Sequence, residues 1–191
     1  RITAVGDPAT RFREDALRIL RALRFAATLG FHIDADTYDG MLKELPGIQR
    51  ISRERIAKEL NLLLVGSHAA QTLRCYPRIL VAALPPLQPM LHCPQRTINH
   101  VLDVWEHSLR VVAHSPAQLA LRWAALLHDS GKPLSLTADA DGRTRFRGHP
   151  TISADIARDC LTGLRQPRRL TDRVVLLVTH AQTGLTVATI G

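Results

Sequence analysis

Apolar residues recur at helical spacing along almost the whole chain. No convincing segment alternates between apolar and polar residues, as a half-buried strand would. In the first helix we expect Asp7 as the N-cap, Pro8 at the first helical position and Gly30 at the end. One face of this helix is apolar and consists of Leu17, Leu20, Leu23 and Ala27. The pattern therefore predicts an all-α protein.

The same periodicity predicts the remaining helices. Ser52 is expected to cap the third helix and Gly66 to terminate it, and the second helix is expected to end near Pro46. The further helices are predicted over residues 34–46, 52–66, 67–84, 101–114, 116–129, 149–165 and 171–184. A polar loop is expected over residues 137–149, before the last two helices.

A proline-rich stretch over residues 85–96 interrupts the helical pattern and marks a domain boundary. We therefore expect one helical domain over residues 1–85 and a second over residues 93–191. A linker over residues 86–92 is expected to join them.

The 191 residues are 46% hydrophobic and 22% charged, as is common in globular proteins. No run of about 18 apolar residues is present, so we expect no membrane span and a cytoplasmic protein. The first residues, RITAVGDPATRF, contain neither a methionine nor the apolar core of a signal peptide. We expect the chain to be a fragment of a longer protein, although processing would produce the same start.

Charge and cysteine content narrow the range of partners. The net charge of +8 favours a polyanionic partner, with nucleic acid as the leading candidate and a basic surface that binds nothing as the alternative. Cys75, Cys93 and Cys160 have no paired spacing. We expect them to be reduced thiols in apolar surroundings, neither zinc ligands nor a disulfide framework.

The stretch REDALRILRALRF carries opposite charges on the first predicted helix. Residues three and four apart share a helix face, so we expect one charged stripe made of Glu14, Asp15, Arg18 and Arg21. Such a stripe can be a solvated face of weak ion pairs. Alternatively, a carboxylate that accepts from an amino group, beside an arginine that donates a planar fork, could imitate a Watson–Crick edge and select a nucleobase.

The string GDPATRFREDALRILRALRFAATLGFHID resembles the neck of class II tRNA nucleotidyltransferases and of the related bacterial poly(A) polymerases. ISRERIAKELNLLL resembles the next motif of that family, and the resemblance covers about residues 1–66. It implies that Asp15 and Arg18 hydrogen-bond the base of the incoming CTP or ATP, while Glu14 and Arg21 shape the same pocket. The next motif is implied to support the neck through Arg53, Arg55, Glu59 and Leu60.

The catalytic head of that family is a mixed sheet with a Gly-Ser phosphate loop and a D-x-D carboxylate pair for two magnesium ions. The resemblance implies such a head before Arg1, with Mg²⁺ as its cofactor. Asp139 and Asp141 are interpreted as solvated turn residues, because they lie in the late polar loop. We therefore expect that these 191 residues cannot polymerise nucleotides by themselves.

The apolar run that ends in ALLHDSGKP places His128 and Asp129 side by side where a predicted helix stops. Such a pair can direct two ligands to one point, and imidazole and carboxylate ligands together suit divalent metals. His107, His149 and His180 lie on or at the ends of separate predicted helices and are the candidates to join them. A single helical histidine is more often structural, but four with an adjacent aspartate favour a metal site.

The order H…HD…GH, over about residues 93–183, resembles the HD domain of metal-dependent phosphohydrolases. The resemblance implies three ligands for a divalent transition metal: His107, His128 and Asp129. His149 would complete a mononuclear site or bind phosphate, and Lys132 would neutralise a phosphate near the metal. A full HD site usually adds an aspartate from a late helix, whereas VTHAQTG offers none. The implied activity is that of a phosphatase or 2′,3′-cyclic phosphodiesterase, and the alternative is a purely structural HD domain.

Together these features predict the C-terminal part of an enzyme, a tRNA nucleotidyltransferase that adds CCA to tRNA 3′ ends from CTP and ATP. The predicted architecture is a helical neck and body bundle followed by a helical HD-type domain. The candidates for contact with RNA phosphates are basic residues of the first domain: Arg50, Arg53, Arg74 and Arg78. The alternatives are a poly(A) polymerase fragment, a stand-alone HD phosphohydrolase and a non-catalytic RNA-binding module.

Overall fold

The computed structural model describes residues 1–94, 103–138 and 144–181. The chain divides into two compact units, Arg1–Pro85 and Pro86–Gly191. Helices dominate both units, and a two-stranded sheet is the only sheet in the described ranges. The predicted all-α class is therefore confirmed. Across the same described residues, no helix has the length and apolar character needed to cross a membrane.

The first unit is a bundle of short helices built around α2. In chain order its elements are α1 (Pro8–Glu14), α2 (Leu17–Leu29), α3 (Ala35–Glu44), a 3₁₀ helix (Leu45–Arg50), α4 (Arg53–Leu64), α5 (Ala69–Cys75) and α6 (Pro77–Ala83). α2 packs against α4 and α5. Its predicted apolar face is buried, with Leu17, Leu20, Leu23 and Ala27 all at most 2% exposed.

The single helix predicted from Asp7 to Gly30 is wrong, because the chain breaks at Asp15 into α1 and α2. The two ends are as predicted. The Asp7 carboxylate accepts a hydrogen bond from the Thr10 amide at 2.7 Å, and Gly30 has a left-handed φ of 69°. Asp15 is extended, with φ −150° and ψ 98°, and its carboxylate accepts from the Leu17 amide at 3.1 Å. Aspartate side chains compete with the helical backbone in this way, so Asp15 starts a second helix.

The helix predicted over residues 67–84 is also divided in two. Pro77 lacks an N–H and disfavours the helical conformation of the residue before it, and Tyr76 has φ −128° and ψ 48°. The Tyr76 hydroxyl accepts a hydrogen bond from the Ile33 amide at 2.9 Å, which ties this break to the start of α3. Ser52 is at the N-cap of α4 as predicted, although its side chain makes no capping hydrogen bond.

The second unit is built around α8. Its described elements are a 3₁₀ helix that begins at the unit boundary (Pro85–Met90), α7 (Val104–His114), α8 (Leu119–Leu127), a 3₁₀ helix (Lys132–Leu134), β1 (Leu136–Ala138), β2 (Thr144–Phe146), α9 (His149–Gly163) and α10 (Arg168–His180). α8 packs against α7, α9 and α10. It is buried from Leu121 to Leu127, and Trp123 is fully enclosed.

Two segments of the second unit differ from the prediction made from the sequence. The predicted polar loop over residues 137–149 contains a short antiparallel ladder, with Leu136 opposite Phe146, because three-residue strands are too short to show a period of two. Asp139 and Asp141 lie outside the described residues. In the segment interpreted as a linker, Leu87 and Met90 are buried.

The cysteines differ from one another in exposure. All three are free thiols, with Cys93 and Cys160 buried as expected. Burial raises the pKa of the Cys160 thiol to about 12 and also raises that of Cys93. The prediction of apolar surroundings is wrong for Cys75, which is exposed at the end of α5.

Candidate functional site

Four basic side chains converge on the buried carboxylate of Asp129. α8 is apolar and buried and ends at Leu127, so the next residues leave the helix inside the second unit. The Nε2 atoms of His107 and His128 lie 3.5 and 3.3 Å from Asp129 Oδ2. The Nε2 atom of His149, at the start of α9, lies 3.4 Å from Oδ1, and Lys132 Nζ lies 2.6 Å from Oδ2. The structure therefore brings together the five residues that the sequence predicts for this site.

Backbone carbonyls orient two of the imidazoles. His128 Nδ1 lies 2.9 Å from the Ala125 oxygen, and His149 Nδ1 lies 2.7 Å from the Phe146 oxygen. A carbonyl oxygen can only accept, so each Nδ1 carries the proton. In both residues Nε2 is the atom that faces Asp129. A ring that also carries a proton on Nε2 donates to the carboxylate, whereas a neutral ring has a lone pair there that a metal can bind. These rings are set as metal-binding histidines usually are, with the second nitrogen held by a hydrogen bond.

The carboxylate is ionised at neutral pH despite its burial. Burial by itself would raise the pKa of Asp129, whose side chain is 2% exposed. Hydrogen bonds from His128 and His149 and the positive charge of Lys132 outweigh this effect, and the pKa lies well below its usual range. The Lys132 ammonium, 2.6 Å from Oδ2, is the nearest positive charge to this buried anion.

The residues present fit a divalent metal. One ligand atom each from His107, His128 and Asp129 lies within 4.8 Å of the others, and imidazole with carboxylate is a common donor set for zinc and iron. His149 approaches the other carboxylate oxygen and is not part of this group within the described residues. His180 is exposed at the end of α10 and lies outside the group as well.

Close packing between the turn after Asp129 and α9 holds this geometry. The Gly131 amide donates to Ser153 Oγ at 2.8 Å, and both groups are buried. A Cβ atom on Gly131 would lie 2.6 Å from the His149 carbonyl oxygen and 2.6 Å from the Ser153 nitrogen. Sequence analysis missed Ser153, because nothing local marks a contact that spans 22 positions.

In the first unit, the break at Asp15 divides the predicted charged stripe. Arg18 Nη1 donates to Glu14 Oε2 at 2.7 Å and to the Arg11 carbonyl oxygen at 2.9 Å. Asp15 is turned to the start of α2 and has Arg55 at 3.6 Å from its Oδ2. Asp15 and Arg18 are therefore neighbours with separate partners, one accepting and one donating, at the same helix junction.

The fourth member of the stripe, Arg21, joins α2 to α4. Its Nε lies 3.5 Å from Glu59 Oε1 on α4, and Arg24 Nε lies 2.7 Å from the other oxygen of the same carboxylate. The Glu59 side chain is 7% exposed, so this carboxylate is a buried clamp between α2 and α4. The pairing of Arg24 was missed, because its partner is 35 residues away.

A cavity of about 270 Å³ lies beside the arginines of this junction. Its lining includes the apolar residues Phe12, Ala22 and Phe25 together with Arg18 and Arg21. An apolar lining with guanidinium donors suits a flat heterocycle that also carries polar groups. The arrangement can therefore accommodate a nucleobase.

The four arginines predicted to contact RNA lie on separate elements of the first unit. Arg50 ends the first 3₁₀ helix and Arg53 begins α4, whereas Arg74 and Arg78 lie on α5 and α6. All except Arg53 are exposed, and Arg53 is half-buried with its Nη2 donating to Gln49 at 3.3 Å.

Comparison with known proteins finds a matching protein family for each of the two units. Residues 30–75 match the family described as "Probable RNA and SrmB- binding site of polymerase A", and residues 97–184 match the HD domain family. A CC-adding tRNA nucleotidyltransferase of Thermus thermophilus is 39% identical over 178 residues, which are 86% of this chain and 41% of that protein. An A-adding tRNA nucleotidyltransferase of Deinococcus radiodurans is 34% identical over 180 residues, 87% of this chain and 41% of that protein.

A further match covers a smaller share of the chain at higher identity. A CCA-adding enzyme of Leuconostoc mesenteroides is 51% identical over 72 residues, which are 38% of this chain and 18% of that enzyme. The chain thus spans 41% of the length of the relatives that it matches over both units. These matches relate both units of the chain to tRNA nucleotidyltransferases, with an RNA-binding region of polymerase A in the first unit and an HD domain in the second.

Proposed function

We propose that the chain is the base-selecting and RNA-binding part of a tRNA nucleotidyltransferase that adds CCA from CTP and ATP. The observation that carries the proposal is the similarity over both units to a CC-adding and an A-adding tRNA nucleotidyltransferase. In this proposal, the RNA 3′ hydroxyl attacks the α-phosphate of the nucleotide and pyrophosphate leaves. The magnesium-binding carboxylates for that step lie outside these 191 residues.

The α1–α2 junction supplies the groups needed to select a base. The Asp15 carboxylate can accept from an exocyclic amino group, and the Arg18 guanidinium can donate to a ring nitrogen or carbonyl. Arg18 is half-buried beside Glu14 with a 2.7 Å contact, so selecting a base requires it to exchange part of this ion pair for the ligand. Glu14 would then position the guanidinium from the other side.

The test is nucleotide choice in the complete protein that carries this sequence, assayed on tRNA transcripts that lack CCA or end in C or CC. Asp15→Ala should lower CTP and ATP incorporation and relax the choice between them while tRNA affinity stays unchanged. Asp15→Asn retains an oxygen that can accept from the Leu17 amide but adds an amide donor, so it should fold normally and still select poorly. Asp39→Ala, at an exposed position of α3, is the control.

Two outcomes would contradict the proposal. Loss of tRNA affinity equal to the loss of incorporation would show that Asp15 supports the RNA site and does not select the base. Incorporation of ATP alone, on any RNA 3′ end, would favour a poly(A) polymerase.

We further propose that the second unit, called the HD unit below, binds a divalent transition metal and hydrolyses phosphoesters, either monoesters or 2′,3′-cyclic phosphates. The convergence of His107, His128 and Asp129 supports this function. When bound, the ion supplies Lewis acidity and lowers the pKa of a bound water. The Lys132 ammonium contacts Asp129 Oδ2 at 2.6 Å. A metal ion bound at that oxygen would displace the ammonium, which could then contact a substrate phosphate.

The direct measurement is Ni²⁺ binding by calorimetry, together with hydrolysis of 2′,3′-cyclic AMP. His128→Ala should abolish both, whereas His114→Ala, on the exposed end of α7, should change neither. Lys132→Gln should strengthen Ni²⁺ binding and reduce hydrolysis, because the competing ammonium is removed from the carboxylate. Wild-type protein that takes up no metal would identify the HD unit as purely structural.

A further inference from the structure

An arginine-rimmed cavity of about 510 Å³ lies at the turn between α9 and α10 of the second unit. Its lining shares no residue with the group around Asp129 and consists of polar and charged residues: Arg158, Thr162, Arg165, Gln166, Arg168, Thr171 and Asp172. Between residues 158 and 173 the chain carries five arginines against two aspartates. The cavity therefore offers a local excess of positive charge.

The one carboxylate of the cavity does not saturate these arginines. Asp172 lies 3.6 Å from Arg158 Nη1 and 3.5 Å from Arg168 Nε, longer than a strong charge-assisted hydrogen bond. The Arg168 side chain is 95% exposed, and the other two side chains are about half exposed. Pairs of this kind are weak, and each guanidinium has five N–H donors, so capacity to bind an anion is left over.

A third arginine at the cavity, Arg165, has a strained backbone conformation. Two residues after the end of α9, Arg165 is in the left-handed region at φ 54°, and its amide donates to the Thr162 oxygen. Helices commonly place glycine at this position, because other residues are strained there. The only glycine nearby, Gly163, lies two residues earlier and has no left-handed φ. An arginine side chain is thus held at a position where the backbone favours glycine.

The start of α10 adds to the same positive field. This 13-residue helix begins at Arg168, and its N-cap residue, Pro167, makes no side-chain capping hydrogen bond. The positive end of its dipole and these amide donors lie at the residue that lines the cavity.

We propose that this cavity binds the phosphodiester backbone of RNA, so that the HD unit contributes to holding the RNA. The inference rests on the proposed function of the chain in RNA 3′-end synthesis. Guanidinium forks match phosphate oxygens in geometry and charge. The cavity is lined by polar and charged residues, and its excess of guanidinium groups favours an anionic ligand over the apolar core of a protein interface.

The experiment measures the affinity of the full chain for a tRNA transcript as a function of salt concentration. The cavity variant is Arg165→Gln with Arg168→Gln. The matched control is Arg169→Gln with Arg173→Gln, which removes the same charge from exposed positions of the same segment that do not line the cavity. The cavity variant should lower the slope of log K against log salt by about 2 and the affinity at 0.15 M salt on the order of tenfold. The control should retain the wild-type slope to within about half a unit.

Arg165→Gly separates binding from folding. Glycine suits a φ of 54°, so the melting temperature should be unchanged or higher while the RNA affinity falls. A structural role for Arg165 predicts the reverse on both counts.

Each other outcome overturns the inference in a distinct way. Equal losses in the cavity variant and the control would indicate general electrostatic attraction without a site. Undiminished tRNA affinity in the cavity variant would leave RNA binding to the first unit, and the proposed function would stand alone. Binding of phosphatidylserine vesicles that is lost only in the cavity variant, with tRNA binding intact, would assign the cavity to membranes. Failure of the wild-type chain to bind tRNA would contradict the proposed function as well.

Discussion

Gly131 is the residue at which a single added methyl group should do the most damage to the HD unit. Its φ of −82° and ψ of −12° suit any amino acid, so the backbone conformation does not require glycine. Space does. A Cβ atom would lie 2.6 Å from the His149 oxygen, 2.6 Å from the Ser153 nitrogen and 2.8 Å from Ile152 Cβ. Two of these atoms belong to the backbone of α9, so Gly131→Ala must push the turn and the helix apart.

The expected loss in the free energy of unfolding follows from the contacts that this separation breaks. Overpacking of a tightly filled interior costs about 1–3 kcal/mol. Separation also breaks the buried hydrogen bond of 2.8 Å from the Gly131 amide to Ser153 Oγ, and a buried donor left unpaired costs a further ~1–3 kcal/mol. We therefore expect a loss of about 4 kcal/mol, a large share of the ~5–15 kcal/mol by which domains are stable. The movement also carries His149 Nε2 away from Asp129 Oδ1, 3.4 Å distant in the wild type.

Urea unfolding followed by tryptophan fluorescence measures this loss in the second unit alone. The chain has two tryptophans, Trp105 and Trp123, and both lie in that unit with 6% and 0% exposure. The control is Gly163→Ala on α9, where a Cβ atom meets nothing within 4 Å. Alanine at that position should stabilise the unit by about 0.5 kcal/mol, since glycine costs a helix about 0.5–1 kcal/mol. A loss below about 1 kcal/mol for Gly131→Ala would refute the reasoning, because it would mean that the turn and α9 separate freely.

Two further predictions concern the first unit and the thiols. Glu59→Gln should destabilise the first unit by about 2 kcal/mol, because Arg24, at 2.7 Å, loses a buried charged partner. Circular dichroism reports this as a lower midpoint without a change in tryptophan fluorescence, and an unchanged midpoint would mean that the clamp contributes nothing. At pH 8 a thiol reagent should modify Cys75 rapidly, while Cys93 and Cys160 stay protected by burial and raised pKa values until denaturant is added. Rapid modification of two or three thiols in the folded chain would contradict this.

Local signals predicted the helices well because helix ends are decided by nearby residues. Asp7 and Gly30 act at the ends of the first helical region through contacts within four residues, and such contacts can be inferred from sequence. The split at Pro77 was predictable in principle from the same kind of rule, since proline restricts the residue before it. The hairpin at Leu136–Ala138 was not, because three residues carry no usable period.

The site was predictable to the extent that its groups are unusual in type. An adjacent His128 and Asp129 are rare enough at a helix end to suggest convergence with other histidines, and the structure shows it. The supporting contacts involve ordinary residues far apart in sequence. Ser153 and Arg24 reach partners 22 and 35 positions away, and no local pattern distinguishes them from other polar residues on helices.

Asp15 shows how a local rule can mislead about the structure around a residue that is proposed to bind the base. Helical spacing places Asp15 on one stripe with Arg18, and the actual break separates Asp15 from the Glu14–Arg18 pair of that stripe. The break leaves Asp15 extended, with one oxygen on the Leu17 amide at 3.1 Å and the other facing Arg55 at 3.6 Å. A carboxylate fixed in this way at a helix junction has fewer rotamers than one on a continuous helix, so less entropy is lost when it accepts from a base. The feature that breaks the predicted helix is thus the one that would make Asp15 a selective acceptor.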